Sequence, residues 1–382
     1  MSKALLINKD GAKNSEEFNS AKSDKQPLED SIKQILASKA PKYTEIEVSF
    51  FQACALRCSF CWQDHDDTEG VTTIREKADT VIDYLENNKG KLQPLIQVHM
   101  LGGELFEDNH DEEYYEDYLY FMEKVNDYCS KNLPDKRVLF ILISNMSFKL
   151  DKTGEKIDNL VASLSNQSIE FLIATSWDPT GRPLTKELQS NFHKNILRYK
   201  KYISEVTFVL TRPTIKRILA DNDKYLRQLV DMGFKIDYDY YTPTGAHELL
   251  MPSDWEILNA IRCMIKKYPS MGKLKAFTNP EEHKGIMTCA SLNKITILPD
   301  GTITNCRHLN YDQESFNTKI LNESNADIIM SYVTKKECLT CEYFADCPLS
   351  CFLMHDHKTF TGRQELDECL YKVVYREAGS ED

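Results

Sequence analysis

Phe51-Gln52-Ala53-Cys54-Ala55-Leu56-Arg57-Cys58-Ser59-Phe60-Cys61-Trp62 sets three cysteines in a C-x3-C-x2-C spacing directly after the alternating run Tyr43–Phe50. Three soft thiolates within eight residues can hold three irons of a [4Fe–4S] cube and leave the fourth iron without a local protein ligand. An open iron can bind a substrate or cofactor, whereas a four-thiolate cluster mainly carries electrons. Two other readings stay open at this point: a zinc site completed from elsewhere in the chain, and three cysteines that share a loop by chance.

Around this loop, 382 residues are enough for one large domain and a smaller one. At 41% hydrophobic and 28% charged, the composition is that of a soluble globular chain. No apolar run approaches the roughly 20 residues that span a bilayer. Met1-Ser2-Lys3-Ala4-Leu5-Leu6 lacks the apolar stretch of a signal peptide, so a cytoplasmic location without membrane attachment is expected. In such a reducing compartment the twelve cysteines read as metal ligands before disulfides. Ten of them fall into two groups, 54–61 and 289–369, while Cys129 and Cys263 sit in helix-like stretches as small buried hydrophobes. A net charge of −12, with no basic stripe interleaved with aromatics, argues against nucleic acid as a partner.

Residues 1–42 read as a polar N-terminal extension with one short helix over Leu28–Ser38. From 43 to 268, strand and helix patterns alternate. Strands are expected near 44–50, 95–100, 137–144, 169–175, 205–210 and 234–240, with helices between them. Thr73 with Glu76, and Ser253 with Glu256, read as capping boxes. One helix is expected over Thr214–Met232, ended by a left-handed Gly233. Six βα units argue for parallel strands covered by helices, and a doubly wound sheet fits that count as well as a partial barrel does. No Gly-rich phosphate loop follows the first strand; the cysteine loop stands there instead. Residues 269–285 read as a bridge, and 371–382 as a tail that begins apolar and ends acidic.

Ligands of parallel barrels sit at the C-terminal ends of the strands. There the chain carries Gly102-Gly103-Glu104, Ser144-Asn145, Ser176-Trp177-Asp178 with Pro179 and Arg182 behind it, and Arg212. Glycines let a backbone approach a ligand, although a tight turn with a solvated Glu gives the same triplet. Ser144 and Ser176 could equally satisfy backbone groups, and Arg212 could be a surface arginine. The sixth strand ends in Asp237-Tyr238-Asp239-Tyr240-Tyr241, where Asp239 is a candidate base and the tyrosines a proton relay or an aromatic wall.

Cys289, Cys306, Cys338, Cys341, Cys347, Cys351 and Cys369 place seven cysteines in 81 residues, a density that implies metal. Cys338, Cys341, Cys347 and Cys351 alone could make a zinc knuckle. The additional thiolates are hard to explain with one zinc.

The loop Cys54–Cys61, with Phe60 before its last cysteine, resembles the cluster loop of the radical S-adenosylmethionine enzymes, and Gly102-Gly103-Glu104 resembles their Gly-Gly-Glu motif. The later cysteines, with a Cys-x11-Gly-x4-Cys opening through Cys289, Gly301 and Cys306, resemble the SPASM extension of one subgroup. The resemblance covers about residues 43–268 and 286–370. It implies an α/β fold: a partial (β/α)6 TIM-type barrel with a small cysteine-rich C-terminal SPASM domain.

By the same resemblance, Cys54, Cys58 and Cys61 hold a [4Fe–4S] cluster whose open iron is chelated by S-adenosyl-L-methionine. Phe60 lies near the adenine, and Gly102, Gly103 and Glu104 receive the methionyl amine. Ser144, Asn145, Ser176 and Arg212 supply ribose and carboxylate contacts. The Ser-Trp-Asp-x-x-x-Arg run resembles a Ser-Leu-Asp-Gly run of peptide-modifying members, with Pro179 in place of the glycine. Two auxiliary [4Fe–4S] clusters follow, one on Cys338, Cys341, Cys347 and Cys369, the other on Cys289, Cys306 and Cys351. The second lacks a fourth thiolate, for which His283 and His308 are nearby donors.

The activity implied is generation of a 5′-deoxyadenosyl radical that takes a hydrogen from a peptide or protein residue, giving an oxidative modification such as a crosslink. Formylglycine formation, radical oxidation of a small amino acid or sugar, and a non-catalytic electron-transfer protein are the competing readings. Implied partners are the peptide or protein substrate, an external electron donor of the flavodoxin or ferredoxin type, and a separate peptide-recognition protein or none.

Overall fold

Thr44, Ile46 and Val48 alternate with Tyr43, Glu45 and Glu47 along β1 (Tyr43–Ser49), the period-2 pattern of a strand with two different faces. β2 (Leu95–Leu101), β3 (Arg137–Ile143), β4 (Phe171–Ser176), β5 (Ile203–Leu210) and β6 (Ile236–Tyr240) follow in sequential order, each parallel to the last. A doubly wound sheet reverses its strand order at a switch point; from β1 to β6 this one does not. At the other edge, β7 (Lys294–Ile297) lies parallel to β1, and β8 (Ile303–Thr304) antiparallel to β7. The eight-stranded sheet is open, with β6 and β8 at opposite edges.

The computed structural model describes residues 41–61, 63, 65, 73–182, 185–241, 249–283, 294–304, 337–347 and 366–378, with single positions at 34 and 333. All that follows concerns the unit Lys39–Asp382. The expected helix Leu28–Ser38, apart from Gln34, and Cys289, Cys306, Cys351 and His308 lie outside the described residues.

Ile96, Val98, Met100, Phe140, Leu142, Phe208 and Leu210 are buried on one face of the sheet, each contributing about 1.5–3 kcal/mol. Their neighbours Gln97, His99, Leu139, Ile141, Leu172 and Val209 are half-buried on the other face. Right-handed crossovers that step the same way place their helices on one side, so the half-buried face is the one they leave uncovered.

Among the helices, α1 (Ile74–Asn87) begins at the Thr73/Glu76 capping box with both reciprocal bonds made. α2 (Glu112–Asn132) and α3 (Leu150–Asn166) follow. α3 starts earlier than its apolar stripe announces, because Asp108 Oδ1 accepts from Lys149 N at 2.8 Å and Thr153 Oγ1 at 2.9 Å. After α4 (Lys186–Arg198), the single helix expected over Thr214–Met232 is two, α5 (Arg212–Leu219) and α6 (Lys224–Asp231). Asp221 breaks it in the left-handed region, at φ 55, while Gly233 ends it at φ 78 as expected.

The Ser253/Glu256 box opens α7 (Asp254–Lys267). α8 (Gly272–Thr278) lies in the stretch read as a bridge, and α9 (Leu370–Ala378) spans the start of the tail. These three pack together: Phe277 stacks on Tyr371 at 5.9 Å, and Arg262 Nε donates to Glu377 at 2.7 Å. No helix among the described residues is long and apolar enough to cross a membrane.

Candidate functional site

β1 delivers the chain into the cysteine loop at the C-terminal edge of the sheet. Phe50 N donates to Leu101 O at 2.8 Å and Glu104 N to Ala53 O at 3.0 Å, so the loop runs across the end of β2. Gly103 permits this contact. A Cβ there would lie 1.7 Å from Ala53 O, a distance no side chain tolerates. Gln63 Nε2 donates to Gly102 O at 2.7 Å, and Ala55 N to Glu107 Oε1 at 2.6 Å. On its other side, Ser59 N and Oγ donate to Gly181 O at 2.8 and 3.2 Å. The Phe60 ring covers Gly181 and packs on the cluster of Tyr241, Leu250 and Met251. The loop is thus held at the ends of β1, β2 and β4.

Cys54, Cys58 and Cys61 are half-buried free thiols, and Cys61 N donates to Cys58 O at 3.0 Å in a tight turn. Burial pushes the Cys58 thiol up to about 11, against the pull of the Arg182 guanidinium beside it. Burial, with Glu104 nearby, pushes Cys54 further in the same direction. A coordinated metal would deprotonate such thiols outright.

A tetrahedral zinc with bonds of about 2.3 Å needs sulfurs roughly 3.8 Å apart. Among the described residues, the group of three metal-type side chains whose ligand atoms lie within 4.8 Å of one another is Glu45, Glu47 and His99, not the thiols. The three thiols are spread more widely than that. Near the loop, Arg182 Nε and Asp178 Oδ2 are buried without hydrogen-bond partners among the described residues. An orphaned donor and acceptor at strand ends fit a site built for a polar ligand.

Glu104 is buried rather than solvated. Its Oε1 accepts from Phe106 N at 2.9 Å and its Oε2 from Asn145 N at 2.6 Å, which joins the ends of β2 and β3. Burial lifts its carboxyl to about 7 despite these bonds. Ser144 Oγ accepts from Met146 N at 3.0 Å and Asn145 Oδ1 from Ser147 N at 2.8 Å. Ser176 Oγ accepts from Arg182 Nη2 at 2.5 Å. The structure therefore gathers Cys54, Cys58, Cys61, Phe60, Gly102, Gly103, Glu104, Ser144, Asn145 and Ser176 around one loop.

Arg212 and Asp239 instead have ion-pair partners of their own. Arg212, at the head of α5, donates through Nε to Glu256 Oε2 at 3.1 Å, and the exposed Asp239 pairs with Lys273. Tyr238 and Tyr240 stand opposite Phe208 and Leu210, on the helix-covered face, where Tyr240 meets the Tyr371 ring at 6.1 Å.

Sequence reasoning missed the roles of Gln63, Glu107 and above all Arg182, whose only signal was its place four residues after Asp178. It also missed Glu45 and Glu47. Lys294 Nζ lies 2.7 Å from Glu45 Oε1 and 3.3 Å from Glu47 Oε1, and Thr296 Oγ1 donates to Glu47 Oε2 at 2.9 Å. The lysine ammonium thus pairs with both carboxylates.

In the second cysteine group, Cys341 N donates to Cys338 O at 3.0 Å, which repeats the turn of Cys58 and Cys61. Cys347 is buried, and Tyr343 beside it stacks on Tyr375 of α9 at 5.2 Å. None of the nine cysteines among the described residues is in a disulfide.

No protein-family model matches the chain. An uncharacterized protein of Methanocaldococcus jannaschii is 23% identical over 220 residues, 56% of this chain and 69% of that protein. Among solved structures, the fold is similar to native anSMEcpe with bound AdoMet, at 15% identity and a TM-score of 0.59 over 87% of this chain and 95% of that one. It is similar also to native anSMEcpe with AdoMet and the Kp18Cys peptide, at 15% identity and a TM-score of 0.57 over 87% and 96%. At this identity the likeness is one of fold.

Proposed function

We propose that the chain is a radical S-adenosylmethionine enzyme with a SPASM-type region over 286–370, which oxidatively modifies a residue of a peptide or protein. One observation carries this reading: the three-cysteine loop is seated on Gly103 at the strand ends, in a fold similar to that of a protein solved with AdoMet and with a peptide. Cys54, Cys58 and Cys61 would hold a [4Fe–4S] cluster, which when bound supplies the electron that cleaves S-adenosylmethionine to methionine and the 5′-deoxyadenosyl radical.

The chain's own residues do the rest. Gly102 and Gly103 bring the backbone close to the ligand. Glu104 fixes the ends of β2 and β3 through its two accepted N–H bonds. Ser144, Asn145 and Ser176 offer polar contacts, and Phe60 closes the loop over Gly181. Half-buried Leu139, Ile141 and Leu172 make the uncovered face apolar along its middle strands. Cys338, Cys341, Cys347 and Cys369 would hold one auxiliary cluster, and Cys289, Cys306 and Cys351 the other, to carry off the electron that the substrate radical gives up; S-adenosylmethionine would be the acceptor in a net two-electron oxidation, and a flavodoxin- or ferredoxin-type donor would supply the one electron that starts it.

Anaerobic reconstitution followed by iron and sulfide counting and EPR tests this. About twelve irons per chain, with one EPR signal altered by S-adenosylmethionine, is expected. Iron near four atoms overturns the three-cluster assignment, and a spectrum indifferent to S-adenosylmethionine overturns the open-iron reading.

A further inference from the structure

After β4, the turn Trp177–Arg182 folds back on itself. Buried Asp178 accepts through Oδ1 from Thr180 N at 3.1 Å and Gly181 N at 3.3 Å, and Arg182 N donates to Asp178 O at 3.1 Å. Ser59 and Phe60 dock this turn onto the cysteine loop through Gly181. Arg182 is left 9% exposed, with Nη2 on Ser176 Oγ at 2.5 Å, Nη1 near Asn145 O at 3.4 Å, and the guanidinium beside the Cys58 sulfur.

Buried arginines are ordinarily paired, since an uncompensated buried charge is costly. Asp178 is near, but its Oδ1 is taken by the turn, and neither its Oδ2 nor Arg182 Nε has a hydrogen-bond partner among the described residues. The fork donates to neutral oxygens. A thiolate-ligated cluster at Cys58 is the anion that this cation lacks.

We infer that Arg182 is a positioning residue that raises the reduction potential of the cluster ligated by Cys58; the inference rests on the reading of the loop proposed above. A positive charge beside a ligating sulfur favours the reduced, more negative state. Burial keeps that effect from being screened.

EPR-monitored redox titration of the reconstituted protein tests it, following the signal that S-adenosylmethionine alters, in wild type, Arg182→Gln and Arg182→Lys. The midpoint is expected to move to more negative potential in Arg182→Gln and part of the way in Arg182→Lys, which keeps the charge but not the fork. Equal midpoints in all three overturn the inference, because a merely structural arginine changes stability or iron content without moving the potential. If Arg182→Gln holds no cluster, Arg182→Lys decides alone: a negative shift supports the inference and a wild-type midpoint overturns it. A wild-type spectrum with no S-adenosylmethionine-responsive signal overturns the reading of the loop and this inference together. A responsive signal with unmoved midpoints overturns the inference only.

Discussion

Gly103→Ala places a methyl group 1.7 Å from Ala53 O, 2.2 Å from Ala53 C and 2.3 Å from Gln52 O. Ordinary contact begins at 3.4 Å, so the backbone next to Cys54 must retreat by about 1.7 Å. These are backbone atoms, which cannot rotate away as a side chain does. The retreat breaks the bond from Glu104 N to Ala53 O, 3.0 Å, and strains the one from Ala55 N to Glu107, 2.6 Å. Overpacking costs about 1–3 kcal/mol and each lost hydrogen bond about 1 kcal/mol, so a loss near 3 kcal/mol is expected, on the order of 3–6 °C in Tm. The larger effect is on Cys54, which moves with the loop out of reach of the proposed cluster. Iron counting on the anaerobically reconstituted variant should find about four irons fewer than wild type, alongside the lowered Tm. Wild-type iron content and an unchanged melt would refute the claim that this glycine seats the loop.

Burial lifts the Glu104 carboxyl from its ordinary 4.5 to about 7, so the folded chain keeps a proton that the unfolded chain has already lost. Stability from this group is complete below about pH 4.5 and falls as pH rises toward 7, by about 3 kcal/mol. Urea midpoints of the apo protein from pH 5 to 8 should therefore decline less steeply in Glu104→Gln than in wild type; parallel slopes contradict this. Lys294→Met leaves Glu45 and Glu47 buried without their ammonium, a loss of about 3–5 kcal/mol. Denaturant melts at pH 5 and 8 check it, and a neutral result at both would count against the ion network. Ile46→Ala, at a fully buried position of β1, should cost about 2–5 kcal/mol in the same melts.

The strands were legible because alternating patterns between two complete capping boxes, Thr73/Glu76 and Ser253/Glu256, leave little freedom in assigning βα units. The break between α5 and α6 was not, since both halves share one apolar stripe and only the left-handed Asp221 separates them. α8 escaped because Met271 gives it no side-chain cap. β7 escaped because four residues carry too short a pattern to announce a strand. At the site, the cysteines and Gly102-Gly103-Glu104 declare themselves by spacing. Glu45 and Glu47 do not, because polar alternation reads as a face toward water, and here that face is buried against Lys294 and Thr296. Arg182 depends on a turn closing over Asp178, a tertiary event with no periodic signature.

The most direct measurement is product analysis after anaerobic incubation of the reconstituted protein with dithionite and S-adenosylmethionine. A radical enzyme built on this loop yields 5′-deoxyadenosine and methionine from the wild-type chain and none from Cys58→Ala. Absence of 5′-deoxyadenosine from the wild type, with or without candidate peptides, would contradict the proposed function at its centre.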